Sequence, residues 1–334
     1  MTRTPHRLLW FAAMAIVGAA ACASPSTPAA PVARSTFIPS QAVKAEPADD
    51  FWPPVTAAGW SAPEPMPGPI NTAGAEDSPY PTHDGRTFLF VFTPDVTIPV
   101  EKQLRDGVTG IWSAQSIEGT WSEPERVWLA DRDDPALDGC PFALGDTLYF
   151  CSVRVGNVRD IDIYQAALRE GTGSNWKNAG SELNVDLEVG EMHMNASGTE
   201  IIFASRRAGG FGGLDLWSSR AAAAGWGAPV NLGAGVNSAS DENRPALSPD
   251  ETELWFDAPS RRGAPGPSVY RAVRQPDGSW GPAEEIVSSF AGEPAFSADG
   301  QILYFVHHYY SADLSRMIEA DIYMSRRLAQ PTSP

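Results

Sequence analysis

Short apolar runs led by a polar turn recur along the chain: HDGRTFLFVF, LGDTLYFCS, ASGTEIIFAS, PDETELWFDA and ADGQILYFVH. Phe90, Phe150, Phe203, Phe256 and Phe305 hold matching places in them. A second series, TGIWSA, IDIYQA, LDLWSS, PSVYRA and ADIYMS, places Trp112, Tyr164, Trp217, Tyr270 and Tyr323 at intervals of 52 or 53 residues. A third series opens each repeat (SPYPT, GCPFA, GEMHM, NRPAL, GEPAF), and a fourth closes it (GTWSEP, SNWKNA, AGWGAP, GSWGPA). The fifth repeat runs to Arg327 without a closing member, whereas GWSAP, with Trp60 and Pro63, stands alone at the front. Turn-bounded runs of four to eight apolar, aromatic-rich residues read as strands. Each repeat therefore carries four strand signals.

Five repeats of this length predict an all-β, five-bladed β-propeller. An open solenoid is the alternative, but about fifty residues exceed one solenoid coil. An unsealed last blade would expose unpaired backbone groups along a strand edge. The displaced GWSAP predicts the remedy: residues 59 to 70 supply the outer strand of the blade formed by residues 291 to 327, closing the ring by pairing an N-terminal strand with the C-terminal blade. Trp60, Trp121, Trp176, Trp226 and Trp280 recur once per repeat beside that strand and read as packing residues rather than sugar platforms.

Composition narrows the function classes. The chain has 334 residues, 43% hydrophobic, with 30 Gly, 30 Pro and 11 Trp, which suits a turn-rich β body rather than a disordered chain. Its formal net charge of −17 argues against nucleic acid as a partner, because phosphates would be repelled. At the start, Arg3, His6 and Arg7 precede an apolar stretch, Leu8 to Ala21, too short to span a membrane. Ala19-Ala20-Ala21-Cys22 resembles the lipobox of bacterial lipoproteins, with Ala19 where that family usually has Leu. The resemblance implies lipidation of Cys22 and sorting to the outer membrane, periplasmic side, with an ordinary cleaved signal and a soluble periplasmic or secreted product as the alternative. Residues 23 to 58, rich in Ala and Pro, read as an extended tether. The expected organisation is a signal with a lipobox-like end over 1–22, the tether over 23–58 and a single propeller over 59–330.

Within the repeats, the pattern P-x-x-S-x-D-G-x-x-L-Y-F, then S-R-R, then D-I-Y resembles the WD-repeat-like propeller repeats of TolB-type periplasmic proteins. PALSPDETELWFDAPSRR and PAFSADGQILYFVH carry it most fully, and FASRRAGGFGGLDLW supplies its middle. TolB-type proteins have six blades and a separate α/β domain, so the resemblance implies a fold and a binding platform rather than their envelope role.

Candidate chemistry follows from strand order. Turns joining first to second strands are short and Asp/Gly-rich, hence structural. Longer loops joining second to third strands share a face with the acids entering each inner strand. That face is the expected ligand site, with Glu76, Asp77, Asp138, Glu191, Asp241, Glu242 and Glu293 near the channel, Arg206 and Arg261 around them, and His307 in an aromatic edge. The same acids and arginines could instead pair between blades and lock the ring. No nucleophile elbow, zinc spacing or other cofactor motif is present in the sequence; Ca²⁺ held by channel acids is the one metal considered. Cys140 and Cys151 oppose each other if Gly145-Asp146 is a two-residue turn, and an oxidising compartment favours a disulfide over a metal site, although a hydrogen-bonded cross-strand position argues against bridging. The expected function is a monomeric, non-catalytic envelope module binding a protein, a peptide or cell-wall glycan, attached to the membrane by its lipid alone. The alternative is a glycan-active hydrolase or lyase using channel carboxylates, since five-bladed propellers with three channel acids occur among glycoside hydrolases.

Overall fold

A computed structural model describes residues 33–131, 134–223 and 225–329. Strands account for 46% of it and helix for 6%, so the fold is all-β, of the β-propeller kind. Each repeat begins with a first strand: Ala75–Pro81, Ala136–Leu144, Met192–Met194, Asn243–Leu247 and Ala291–Phe296. Second strands (Thr87–Thr93, Thr147–Arg154, Glu200–Ser205, Glu253–Pro259, Ile302–Tyr310) and third strands (Gly110–Ile117, Asp162–Arg169, Asp215–Ala222, Pro267–Val273, Met317–Arg326) pair antiparallel beside them. Second strands of the first and third repeats are covered on both faces: Thr87 to Phe92 and Glu200 to Ser205 are buried throughout, whereas Thr147–Arg154 alternates buried and half-buried residues. That explains runs such as FLFVF, in which neither face alternates to solvent.

The first strands neighbour one another in sequence order, and the fifth touches the first. The displaced N-terminal segment meets the last repeat. Glu64 and Pro65 pair with Met324 and Tyr323, and Trp60 bridges Arg327. Trp60 packs edge-on against Trp255 at 5.5 Å, under the Arg327 guanidinium at 4.8 Å. Trp121 likewise packs on Phe88, and Trp280 lies under Arg274.

Two repeating locks fix the crossings between repeats: an asparagine lock that was not read from the sequence, and an arginine lock that matches the alternative role given above to the acids and arginines. Asn184 exchanges both backbone bonds with Ile163, and Asn237 does so with Leu216. Asn71 does the same with Ile322 of the last repeat, which marks the N-terminal segment as that repeat's own crossing. The second lock is an arginine: Arg154, Arg207 and Arg261 donate to the carbonyls of Leu129, Leu187 and Val236. Arg34, fully buried, takes that role on Ile70 while its guanidinium lies 4.8 Å from the Phe92 ring.

Part of the segment expected as a tether is therefore built into the domain. Lys44 pairs with Glu319 and Asp321, Asp50 meets His307 at 2.7 Å, and Val55–Thr56 adds a strand beyond Glu284–Ser288. Low apolar content misled the reading, because buried charges rather than apolar side chains hold this strap. The signal, Cys22 and residues 23 to 32 lie outside the described residues.

Candidate functional site

A bulge in the first strands creates the site. Pairing slips between Asp77 and Tyr80, Gly139 and Phe142, Asn243 and Ala246, and Gly292 and Ala295. At each slip one residue takes a left-handed conformation: Ser78 (φ 51°), Cys140 (50°), Arg244 (50°) and Glu293 (56°). Glu191 holds the matching place in the third repeat. A bulge re-aims a side chain out of the pleat, and all five line one cavity of about 1030 Å³, walled by first strands from every repeat. Cys140 is joined to Cys151 by a disulfide with 5.5 Å between Cα atoms. The bulge places Gly139, not Cys140, opposite Cys151, which removes the register objection to bridging.

His83, Asp146, Asn195, Pro249 and Ala298 also line the cavity. It thus lies on the side of the first-to-second turns, opposite the long loops where the site was expected. The turns themselves are structural as read: Thr82, Ser248 and Ser297 donate to Asp84, Asp250 and Asp299 at 2.6–2.7 Å.

Of the expected residues, the structure brings Asp77, Glu191 and Glu293 together. Glu76, Asp138 and Glu242 sit two places earlier, behind the strand, and serve the arginine locks through Arg34, Arg154 and Arg261. Asp241 caps the Leu214 amide and lies 3.6 Å from Arg206, both exposed. His307 is fully buried against Asp50 rather than forming a sticky edge. Ser78, Arg244 and Asp257 were missed. The signal was there: Ser78, Cys140, Arg244 and Glu293 each precede a proline at one place in the repeat, so variation at that place, rather than acidity nearby, marks the site.

Arg244 is the hub. Its Nε approaches Glu191 at 3.2 Å and Glu293 at 3.3 Å, and its Nη1 donates to Asp257 at 3.3 Å. The Asp257 carboxylate also accepts from the Glu293 amide, and Glu293 accepts from the Ser78 amide at 2.7 Å. Ser78 Oγ lies 3.0 Å from Asp77 and 2.9 Å from Glu293. A hydroxyl has one hydrogen, so it can donate to only one of them. The second bond forms if the other carboxyl is protonated and donates to Oγ, and Asp77 is placed to do so, since burial and then Glu293 push its carboxyl well above the usual range. Burial likewise lifts Glu191 to about 7 against the pull of Arg244, and raises Asp257. Burial opposes the Arg244 charge, yet Glu191, Glu293 and Asp257 together raise it. His193, whose ring lies 4.7 Å from Phe142, is lowered to about 4 by burial and is neutral at pH 7. The site can therefore hold a protonated and an ionised carboxyl side by side at neutral pH, the arrangement that acid–base chemistry needs.

Two outcomes test this electrostatic picture. Replacing Ser78 by Ala removes the shared hydroxyl and is expected to cost about 1–2 kcal/mol in chemical denaturation at pH 7. Glu191→Gln should stabilise the fold at high pH. The folded value of Glu191 lies above the unfolded one, so wild-type stability is full below about pH 4.5 and falls until about pH 7. The amide abolishes that loss, giving a gain on the order of 2 kcal/mol at pH 8 and little at pH 4.5. Urea unfolding at the two pH values measures it.

No family model matches the chain, and no curated protein matches it. Solved structures do. A thermostable family-43 glycoside hydrolase is similar at 15% identity and a TM-score of 0.50, covering 79% of this chain and 97% of that one. The α-L-arabinofuranosidase from Lactobacillus brevis is similar at 13% identity and 0.48, covering 79% and 93%. TolB from Acinetobacter baumannii is similar at 17% identity and 0.41, covering 77% of this chain. This chain spans 55% of that TolB chain. The expectation of a non-catalytic binding module is corrected here: the similar structure that reaches a TM-score of 0.50 is a glycoside hydrolase. At these identities the likeness itself shows the β-propeller fold.

Proposed function

We propose that the chain is a hydrolase of glycans whose active site is the carboxylate cavity of a closed five-bladed propeller. One observation carries the reading: Glu191 and Glu293 meet a single guanidinium in one cavity, with Asp77 linked to Glu293 through Ser78 and Glu191 lifted to about 7. In this reading Glu191, the more open of the two glutamates beside Arg244, protonates the leaving oxygen. Glu293, held by Ser78 and Arg244, is the nucleophile or base. Asp77 holds a proton and steadies Glu293 through Ser78. Two carboxylate oxygens at 3.2 and 3.3 Å from one nitrogen are no further apart than about 6.5 Å, an upper bound that a retaining pair at about 5–5.5 Å satisfies. Closure of the ring is supported by the cyclic order of first-strand neighbours and by the pairing of Glu64–Pro65 with the last repeat. The repeats keep their TolB-type pattern, and the lipobox-like Cys22 would anchor the domain at the outer membrane.

The test is turnover of a panel of polysaccharides and aryl glycosides, read as new reducing ends, with absorbance of unsaturated products distinguishing a lyase. Reducing ends from the wild type that vanish in Glu191→Gln and Glu293→Gln support the proposal. Absence of turnover across the panel, or turnover indifferent to both changes, overturns it.

A further inference from the structure

The face opposite the cavity has a second property. Among the described residues, the two large hydrophobics most open to solvent, Val155 and Val43, lie there with several others, while Val230 (63%), Val55 (58%) and Ile117 (57%) belong to outer strands and a third-strand end. Val155 (92% exposed), Val158 (67%) and Ile161 (50%) occupy the second-to-third loop of repeat 2, and Phe211 (52%) the same loop of repeat 3. Val43 (81%) and Phe51 (60%) project from the N-terminal strap, which is fastened to that side of the last repeat through Lys44 and Asp50. Isolated exposed side chains need no explanation. These are spread around one face of the domain, over several repeats, instead of forming one groove. A protein partner or a second copy would cover a contiguous patch, whereas a flat apolar phase meets all the tips at once. Exposed Arg159 and Arg206 share those loops, where Arg159 donates to the Val189 carbonyl at 3.0 Å and Arg206 lies 3.6 Å from Asp241. With a net charge of −17, apolar insertion rather than attraction to anionic lipid must supply the binding.

The chain outside the described residues points the same way. Arg34 is anchored on this face, at Ile70 and Glu76. Eleven residues lie between it and Cys22, a reach of at most about 40 Å when extended.

We propose that this face docks on a phospholipid bilayer, seating Val155, Val158, Ile161 and Phe211 among the headgroups and turning the carboxylate cavity away from the membrane. The docking does not depend on the hydrolase reading.

Hydrogen exchange of the full chain, free and on phosphatidylcholine vesicles, tests it. On vesicles, residues 155–161 and 206–214 are expected to exchange at least about fivefold more slowly, while the cavity-side turns at 82–86 and 248–252 keep their free rates. The triple variant Val155→Asp, Val158→Asp and Phe211→Asp should lose that slowing, its unchanged cavity-side rates showing that it is folded. Failure to associate with vesicles, slowing on the cavity side, or slowing that the triple variant retains would each refute the docking. Slowing without vesicles that grows with protein concentration would assign the face to a second copy instead, and refute it equally.

Discussion

Glu191→Gln is expected to lower turnover of an unactivated glycoside by roughly 10³-fold, and Glu293→Gln by at least as much. The two losses should differ in kind. A general acid matters in proportion to how poorly the leaving group departs, so an aryl glycoside with an acidic phenol should recover most of its rate in Glu191→Gln. It should recover little in Glu293→Gln, where the group attacking the sugar, or activating water, is gone. The pH profile adds an independent sign. Wild-type turnover should fall as pH rises through about 7, because Glu191 must carry its proton, and this alkaline limb should disappear in the amide variant. If nitrophenyl glycosides reverse the order, with Glu293→Gln rescued and Glu191→Gln not, the two roles are exchanged. If neither variant changes kcat/KM, the cavity is not where the chemistry happens.

Why the sequence disclosed the fold more readily than the site is visible in single residues. Phe90 and its counterparts recur because each is buried in its second strand, and Trp60 was conspicuous because it carried a closing signal with no repeat ahead of it. These are properties of the repeat, and a repeat is what one sequence can show of itself. The site lies where the repeat differs from itself: Ser78, Cys140, Glu191, Arg244 and Glu293 share a place but not a chemistry. Reading for acids near the inner strands caught Glu191 and Glu293, yet it also gathered Glu76, Asp138 and Glu242, whose partners are lock arginines. The wrong face was chosen for a related reason. The bulge turns residues three to four places before the short turns into the cavity, and nothing in hydrophobic alternation announces a bulge. Arg34 and Lys44 were lost in an Ala/Pro-rich stretch because charge pairing across some 40 to 280 residues leaves no local pattern.

Arg244→Leu should cost about 3 kcal/mol at pH 8, the lower part of the range for breaking a buried ion pair, since Arg244 is 36% open to cavity water. The size follows from its neighbours. Glu191, Asp257 and Glu293 contact the guanidinium, and Asp77 lies behind them across Ser78. Without that cation four carboxyls face one another with no positive charge among them, and the three already raised, Asp77, Glu191 and Asp257, are pushed further above their unfolded values. The sign is then fixed. Groups whose folded values are raised stabilise the fold fully below their unfolded values and lose that contribution as pH rises. At pH 4.5 most of the cluster is neutral and the variant should lose only about 1 kcal/mol of packing, so the penalty widens steadily toward pH 8. Adding Glu191→Gln to Arg244→Leu removes one of the repelling charges and should return part of the loss at pH 8, a coupling absent at pH 4.5. Urea unfolding of the single and double variants at the two pH values measures all of this. A penalty for Arg244→Leu that is the same at both would mean that the guanidinium holds the first strands by packing, and that the raised carboxyls of Asp77, Glu191 and Asp257 do not depend on it.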